Sequence, residues 1–229
     1  MYNPENYKMD YDKENIEIKM IEKIFDPQDK KILENGCGDG RISTLLAYKA
    51  REYVAIDPDE RRIREAKSLT ANVDFRIGNG EALDFEDSSF HVVLFTLSLH
   101  HQDGCLALKE AHRVLTTNGQ LVILEPAADG ELTQFFNLFD DETDRLRNAL
   151  KMIENSDFEI EQKETFCTIM SFDNQDELCS YPFSRDKIQP GDRDRIIETL
   201  QQSQGAITDV QPIHLHDKIH IFSLRKKRP

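Results

Sequence analysis

The sequence predicts an α/β fold, in which a mostly parallel sheet is covered by helices on both faces. Apolar runs of strand length alternate with amphipathic segments of helical periodicity along the first half of the chain. Strands that alternate with helices are joined by right-handed crossovers and therefore lie parallel. The run Val92–Phe95 is apolar throughout, as expected of a strand that is buried on both faces. A glycine-rich turn after the first strand of the pattern favours the same fold class.

The individual elements follow from local patterns. A helix is predicted over Asn15–Phe25, because apolar residues recur there at helical spacing and Pro27 ends the pattern. Apolar runs predict strands at 31–34, 53–56, 73–77, 91–95 and 120–124, and amphipathic segments predict helices at 42–48, 59–68 and 106–115. Beyond Pro126 we expect one or two helices over 131–155, strands over 158–172 and 213–224, and helices with loops over 173–212.

The composition restricts the partners and the compartment of the protein. Its 229 residues suffice for one domain with a sizeable core. A formal net charge of −14, spread along the chain, disfavours a nucleic-acid partner because such a surface repels phosphates. The basic cluster at 225–228 is interpreted as a solvated end of the chain.

No apolar run is long enough to span a membrane, and the polar N-terminal segment differs from a signal peptide. The cysteines are widely spaced and form no C-x-x-C pair, which indicates free thiols in a reducing cytoplasm. These residues are Cys37, Cys105, Cys167 and Cys179.

The most informative stretch is Lys31–Arg41, K-I-L-E-N-G-C-G-D-G-R, in which glycines stand at alternate positions 36, 38 and 40. A strand, a glycine turn and a helix N-terminus together are typical of the nucleotide crevice of an open α/β sheet. The dinucleotide fingerprint G-x-G-x-x-G requires its third glycine at position 41, where Arg41 stands. An NAD-dependent oxidoreductase is therefore the less favoured alternative. Glu34 would repel a pyrophosphate but attract an ammonium or sulfonium centre.

Asp57 ends the second predicted strand of the sheet, about twenty residues after the glycine turn. An acidic residue at this place can accept hydrogen bonds from both ribose hydroxyls of an adenine nucleotide. NAD enzymes and methyltransferases share that spacing. Asp57 therefore indicates that a ribose is bound but does not distinguish between the cofactors of these two classes. The structural alternative for Asp57 is an N-cap of the helix that begins near Asp59.

Three motifs resemble those of the class I S-adenosylmethionine-dependent methyltransferases. Glu34–Gly40 matches every fixed position of motif I, E-x-G-x-G-x-G. Gly78–His91 is similar to the family stretch G-D-A-E-x-L-P-F-x-D-x-S-F-D, and Glu110–Pro126 resembles E-x-x-R-V-L-K-P-G-G-x-L-x-I-x-E-P. The motif set is like that of the ubiquinone and menaquinone biosynthesis methyltransferases, and it covers Lys31–Pro126. The resemblance implies a Rossmann-like, seven-stranded, mostly parallel sheet with an antiparallel last strand.

The resemblance also implies S-adenosyl-L-methionine as the cofactor. Glu34 and the backbone of the glycine turn would hold its methionine part, Asp57 the ribose, and Asn79 with Gly80 the adenine. Asn79 stands where the family has an acidic residue, and its amide oxygen can still accept a hydrogen bond. A plain connecting turn is the alternative interpretation of Gly78–Phe85. The predicted cofactor-binding residues are Glu34, Asn35, Gly36, Cys37, Gly38, Gly40, Asp57, Pro58, Asn79, Gly80, Glu81, Thr96 and Leu97.

The segment Thr96–His101 follows the fourth predicted strand and would face the substrate in the family. His100 or His101 could act as a general base, because a neutral imidazole takes a proton near pH 7. A structural role of these histidines is a further interpretation. A metal site with Asp103 is the third, but no additional cluster of ligand residues supports it, so we predict no metal.

The predicted function is methyl transfer to a small-molecule acceptor through an O, N or C nucleophile. A domain that binds the cofactor without catalysis is a second alternative. We expect a single domain over 1–229, with an N-terminal helix or lid at 1–30, a cofactor-binding core at 31–126, and a C-terminal half at 127–229 that carries a cap insertion at about 173–212. Aromatic residues that could cover the acceptor, or form the core of the cap, are Tyr2, Tyr7, Tyr11, Phe135, Phe136, Phe139, Tyr181 and Phe183.

Overall fold

The structure, a computed structural model, describes residues 10–180, 198 and 211–227. Its strands are β1 (Asp10–Tyr11), β2 (Lys31–Asn35), β3 (Glu52–Asp57), β4 (Asp74–Ile77), β5 (Phe90–Thr96), β6 (Leu115–Pro126), β7 (Phe158–Phe172) and β8 (Ile213–Lys226). Its helices are α1 (Ile16–Ile24), α2 (Arg41–Leu46), α3 (Glu60–Leu69), α4 (Gly104–Val114), α5 (Glu131–Asn137), α6 (Thr143–Glu154) and α7 (Gln175–Ser180), with a 3₁₀ turn at Leu99–His101. The predicted cap aromatics Tyr2, Tyr7, Tyr181 and Phe183 lie outside the described residues.

The chain divides into two compact units, and each unit combines three segments of the sequence. The core unit contains Glu17–Pro126, Arg145–Phe166 and Ile219–Pro229. The accessory unit contains Met1–Ile16, Ala127–Asp144 and Cys167–Lys218. Strands β7 and β8 each contribute residues to both units. The predicted organisation as one domain with a cap insertion stays a prediction.

In its described part, the core unit contains seven strands in the order β7-β8-β6-β5-β2-β3-β4. Strand β2 pairs in parallel with β3 and β5, β3 with β4, and β5 with β6. Strand β8 is antiparallel to β6, with Leu121 opposite Leu224. The predicted Rossmann-like, mostly parallel, seven-stranded sheet with an antiparallel last strand is therefore confirmed. The strand order reverses at β2, which is where open α/β sheets bind their ligands.

Two apolar clusters cover the two faces of this sheet, as the alternation of side chains in a strand requires. Val92 and Leu94 join a cluster with helices α1, α2 and α3, whereas Val93 and Phe95 join one with α4 and α6. The apolar run in β5 is thus buried on both faces, as predicted.

Some predicted boundaries were wrong. Strand β6 begins at Leu115 rather than at 120, because Leu115 pairs with Phe90 ahead of an irregularity in the register. The prediction of one or two helices over 131–155 is confirmed, since this segment forms α5 and α6. None of the helices in the described ranges is both long enough and apolar enough to cross a membrane.

The accessory unit has an apolar cluster of its own. Helix α5 contributes Leu132 and Phe135 to it, and the accessory segments of β7 and β8 contribute Met170, Phe172 and Leu215. Phe135 is 2% exposed, so in this structure it is a core residue of the unit. Partly buried side chains packed on the cluster are Tyr11, Phe136, Leu138 and Phe139.

Candidate functional site

The glycine turn between β2 and α2 has a left-handed backbone. Gly36, Gly38 and Gly40 have φ angles of 77°, 57° and 83°, which side chains other than glycine rarely tolerate. A Cβ on Gly36 would overlap Ser98, whereas a Cβ on Gly38 would meet its nearest atom, Arg62 Nη1, at 3.6 Å. The turn therefore needs glycine at 36 for space and conformation, and at 38 for conformation.

Asp57, the last residue of β3, ties this turn to the neighbouring strand. Its Oδ2 accepts a hydrogen bond from the Gly38 N–H at 2.9 Å, and its Oδ1 accepts one from the Asp59 N–H at 2.9 Å. The alternative role of Asp57 as the N-cap of α3 is wrong, because the cap is Asp59, whose side chain accepts from Arg61 and Arg62. The predicted methionine- and ribose-binding elements thus form one hydrogen-bonded unit.

Glu34 is fully buried beneath the turn. Its Oε2 accepts hydrogen bonds from Ser43 Oγ at 2.5 Å and Tyr53 OH at 2.9 Å, and its Oε1 accepts one from Thr96 Oγ1 at 2.6 Å. Burial raises the pKa of Glu34, and the three hydroxyl groups partly offset this effect. In the structure Glu34 therefore positions α2, β3 and β5, and it would act on a cationic ligand through its field.

Two further predicted residues are Cys37, which lies within the turn, and Leu97, which directly follows β5. Burial raises the pKa of the Cys37 thiol, with Glu34 and Asp57 adding to the effect, so this thiol stays protonated. Leu97 has a φ of 57°, and its N–H donates to Leu124 O at 2.9 Å. Left-handed conformations of side chains this bulky are strained and concentrate at functional sites.

The loop after β4 is held by helix α4. Arg113 donates to Leu83 O at 2.9 Å and to Phe85 O at 2.7 Å, and Glu110 Oε2 accepts from the Leu83 N–H at 2.8 Å. Asn79 is exposed, and its Oδ1 accepts from the Glu81 N–H at 3.0 Å. The motif that contains Glu110 and Arg113 therefore fixes the loop that was predicted to contact adenine.

Two buried polar side-chain atoms in the described ranges lack a hydrogen-bond partner, Asn35 Nδ2 and Gln102 Oε1. Both lie beside Gly80, because a Cβ built on Gly80 would overlap each of them. Asn35 and Gly80 were predicted to bind the cofactor. Gln102 was missed, since a single glutamine after two histidines carries no motif.

The 3₁₀ turn after β5 places His100 against the end of β6. His100 Nδ1 lies 2.6 Å from Glu125 Oε2, and Glu125 Oε1 accepts from the Leu99 N–H at 2.8 Å. The side chains of His100 and Glu125 are 4% and 0% exposed. His101 is exposed, and its ring centroid lies 3.9 Å from that of His100.

Glu125 is a functional candidate that the sequence analysis did not assign. Its only signal in the sequence was its position next to Pro126, directly after the strand predicted at 120–124. Asp103, which was considered as a metal ligand with the histidines, instead caps α4 and accepts from the Leu106 N–H at 3.1 Å.

The predicted site residues come from the carboxyl ends of the neighbouring strands β2, β3, β4 and β5. The structure therefore brings the glycine turn, Asp57, the loop after β4 and the His100 turn to one edge of the sheet. This edge is where open α/β sheets bind nucleotides.

The comparisons with known proteins agree with this geometry. A family model described as a methyltransferase domain matches residues 33–123. YrhH of Bacillus subtilis, named as a methyltransferase, is 31% identical over 129 residues, which cover 51% of this chain and 68% of YrhH. The chain belongs to the class I S-adenosylmethionine-dependent methyltransferase family. Family membership confirms the predicted resemblance and the predicted cofactor, S-adenosyl-L-methionine.

Other curated methyltransferases match this chain over only part of their own length. The demethylmenaquinone methyltransferase of Thermotoga maritima is 29% identical over 110 residues, which are 47% of this chain and 48% of that protein. The chain spans between 36% and 55% of the length of five further curated relatives. The crystal structure of YcgJ from Bacillus subtilis shares the fold with a TM-score of 0.67 at 21% identity, covering 92% of this chain and 98% of that one.

The glycine turn allows a test of its geometry. Gly38→Ala should cost about 1 to 2 kcal/mol of unfolding free energy, the price of a left-handed alanine. Gly36→Ala should cost about 1 to 3 kcal/mol more, because its Cβ also overlaps Ser98. Urea denaturation of both variants gives the difference. Equal losses would show that the close contact with Ser98 is wrong.

Glu34 gives a test on pH. Because burial raises its pKa above the ordinary 4.5, the folded state binds this proton more tightly than the unfolded state. This contribution to stability is present below the unfolded pKa and is lost as the pH rises through the folded pKa. The wild type should therefore lose stability relative to Glu34→Gln as the pH rises above 4.5.

Urea denaturation at several pH values measures this trend. The control is Glu154→Gln, which replaces an exposed glutamate on α6. A difference between wild type and Glu34→Gln that is as flat with pH as the control would contradict the buried environment of Glu34.

Proposed function

We propose that this protein transfers the methyl group of S-adenosylmethionine to a small-molecule acceptor at the carboxyl edge of its parallel strands. The observation that carries the proposal is the hydrogen bond from the Gly38 N–H to Asp57 Oδ2 at 2.9 Å. It joins a left-handed glycine turn to an acidic strand end. The two elements that would hold the methionine part and the ribose of the cofactor are therefore joined.

The residues present fit this cofactor. The backbone of Gly36–Gly40, with Thr96 and Leu97, would hold the methionine part, since Gly38 leaves the backbone open to close approach. Asp57 and Pro58 would hold the ribose, and the segment Asn79–Glu81 would border the adenine. When bound, S-adenosylmethionine supplies a methyl group already activated on a sulfonium.

His100 is the proposed general base for an acceptor that must lose a proton. A carboxylate accepts hydrogen bonds, so Glu125 favours the tautomer in which His100 Nδ1 carries the proton. The other ring nitrogen, Nε2, is then the one that can take a proton from an acceptor hydroxyl or amine. Glu125 is a positioning residue, because it acts through the orientation of His100. The exposed His101 stays the second candidate for this role.

The acceptor is proposed to be small and either neutral or cationic. The formal net charge of −14 disfavours polyanions, including nucleic acids. The name of the Thermotoga relative, demethylmenaquinone methyltransferase, makes an aromatic quinol the first acceptor to assay. The cytoplasmic location belongs to the same proposal and rests on the cysteine pattern.

Isothermal titration with S-adenosylhomocysteine and, separately, with NAD tests the proposal. We expect binding of S-adenosylhomocysteine and none of NAD, since position 41 is arginine rather than glycine. Release of S-adenosylhomocysteine from S-adenosylmethionine is then assayed with demethylmenaquinol, catechols and small amines. NAD binding would support the oxidoreductase instead. Cofactor binding without turnover of any acceptor would favour a non-catalytic domain.

Asp57→Ala should weaken S-adenosylhomocysteine binding by about 1.5 to 3 kcal/mol, because the ribose hydroxyls lose a charged acceptor. Asp57→Asn is the matched control, since it keeps the size and one acceptor oxygen and should lose less affinity. Isothermal titration measures both variants. An affinity of Asp57→Ala equal to that of the wild type would show that Asp57 does not bind the ribose.

Glu125→Gln should change the tautomer of His100. Its amide oxygen can still accept from the Leu99 N–H, so its NH₂ would face His100 Nδ1 and donate to it. The proton then moves to Nε2, and kcat should fall about 10²- to 10⁴-fold with little change in KM. Nitrogen-15 spectra of labelled histidine detect the tautomer without an acceptor. The control is Glu154→Gln on α6, an exposed glutamate whose replacement should leave kcat and the tautomer unchanged. An Nε2–H tautomer of His100 already present in the wild type would refute the role of Glu125.

A further inference from the structure

A buried carboxylic acid lies directly before the glycine turn, and its hydrogen-bond partners are hydroxyl groups. Glu34 is 0% exposed. Its partners are Ser43 on α2, Tyr53 on β3 and Thr96 on β5. A hydroxyl group can either donate or accept a hydrogen bond, so these partners can hold the ionised acid as well as the protonated one. A lysine or an arginine in their place would favour the carboxylate alone.

The titratable groups around Glu34 disfavour its ionisation in the free protein. Burial raises the pKa of Glu34, and the three hydroxyl groups and the charge of Arg41 offset only part of this effect. Tyr53 and Cys37 are neutral neighbours, because burial raises the pKa of both groups. Asp57, whose charge acts on the same Cys37 thiol as that of Glu34, adds negative charge near the turn.

The positive charge of Arg41 is already used by another acid. Its guanidinium forms an ion pair with Glu17 on α1, whose side chain is 0% exposed. The pair is neutral as a whole. Ionisation of Glu34 therefore places one further negative charge in the interior beneath the glycine turn, which is costly until a positive charge comes close.

The cofactor and its product differ by this one charge. Both carry the ammonium and carboxylate groups of an amino acid, but only S-adenosylmethionine also carries a sulfonium. A charge acts through the protein interior without contact, because the interior screens it less than water does. Glu34 therefore needs no accessible surface in order to respond to a sulfonium held by the glycine turn.

We propose that Glu34 distinguishes the cofactor from its product by charge: it holds a proton in the free protein and in the complex with S-adenosylhomocysteine, and it releases this proton when S-adenosylmethionine binds. The acid becomes a carboxylate, and the proton passes to the bulk solvent. It returns to Glu34 from the solvent once the bound ligand has lost its sulfonium. This inference rests on the proposed function.

Isothermal titration of the full chain with each ligand, in buffers of different ionisation enthalpy, counts the protons released. We expect S-adenosylmethionine to release up to about one proton more than S-adenosylhomocysteine, at a pH between the pKa values of Glu34 in the free and the cofactor-bound protein. Over that interval the affinity for S-adenosylmethionine relative to its product should rise with pH by up to about tenfold per unit. No acceptor is present, so methyl transfer does not contribute to the heat.

Two variants separate this role from a structural one, which would change neither the proton count nor the pH profile. Glu34→Gln should remove the additional proton and make the affinity ratio independent of pH, since an amide does not titrate. Tyr53→Phe removes a hydroxyl group that favours the carboxylate, so it should move the release to higher pH. The control, Glu154→Gln, replaces an exposed glutamate on α6 and should match the wild type. Equal numbers of protons released by both ligands at every pH overturn the inference.

A measurement on the wild type covers the case in which Glu34→Gln does not fold. In protein labelled with carbon-13 at the glutamate carboxyl groups, one signal should stay at the position of a protonated acid above pH 4.5, both in the free protein and with S-adenosylhomocysteine. S-adenosylmethionine should move that signal to the position of a carboxylate. The same position with both ligands at every pH contradicts the inference. Failure of the wild type to bind either ligand refutes the proposed function itself, which is a distinct outcome.

Discussion

The hydrogen bond between the Gly38 N–H and Asp57 is the constraint on which the rest of the site depends. It links the turn after β2 to the end of β3, and the second oxygen of Asp57 receives the Asp59 N–H at the entry to α3. One carboxylate therefore sets the path of two consecutive connections at the carboxyl edge of the sheet. Glycine adopts the left-handed conformation without a steric penalty but has many other conformations open to it, and this bond holds the turn in one of them.

Helix α4 supports the same edge from the other face of the sheet. Near its carboxyl end Arg113 holds the carbonyl oxygens of Leu83 and Phe85, and just before its first turn the Asp103 N–H donates to Glu81 Oε1 at 2.8 Å. The loop after β4 is thus attached at both ends of one helix. The motif that contains Glu110 and Arg113 therefore supports the predicted site indirectly: it fixes the loop after β4, and neither residue lies in the glycine turn.

Local patterns predicted the features that local physics determines. The apolar run in β5, the glycines with positive φ and the acidic end of β3 could each be predicted from a few consecutive residues. The contacts of Glu34 could not, because Ser43, Tyr53 and Thr96 reach its carboxylate from three other elements. The same holds for His100 and Glu125, which are 25 residues apart. Only the parallel pairing of β5 with β6 makes them neighbours, and the early start of β6 at Leu115 likewise depends on its partner Phe90.

Each of the two units is built from three separate segments of the sequence, so no single continuous segment makes up a whole unit. The residues that match the family model, 33–123, end inside β6, whose partner on one side is β8 at the far end of the sequence. A fragment limited to the matched segment would end at Ile123 and would leave the edge of β6 that pairs with β8 open, although β6 would keep its pairing with β5. Such an edge invites pairing with other chains. The segment that contains the family motifs therefore depends on residues about a hundred positions away to complete its sheet.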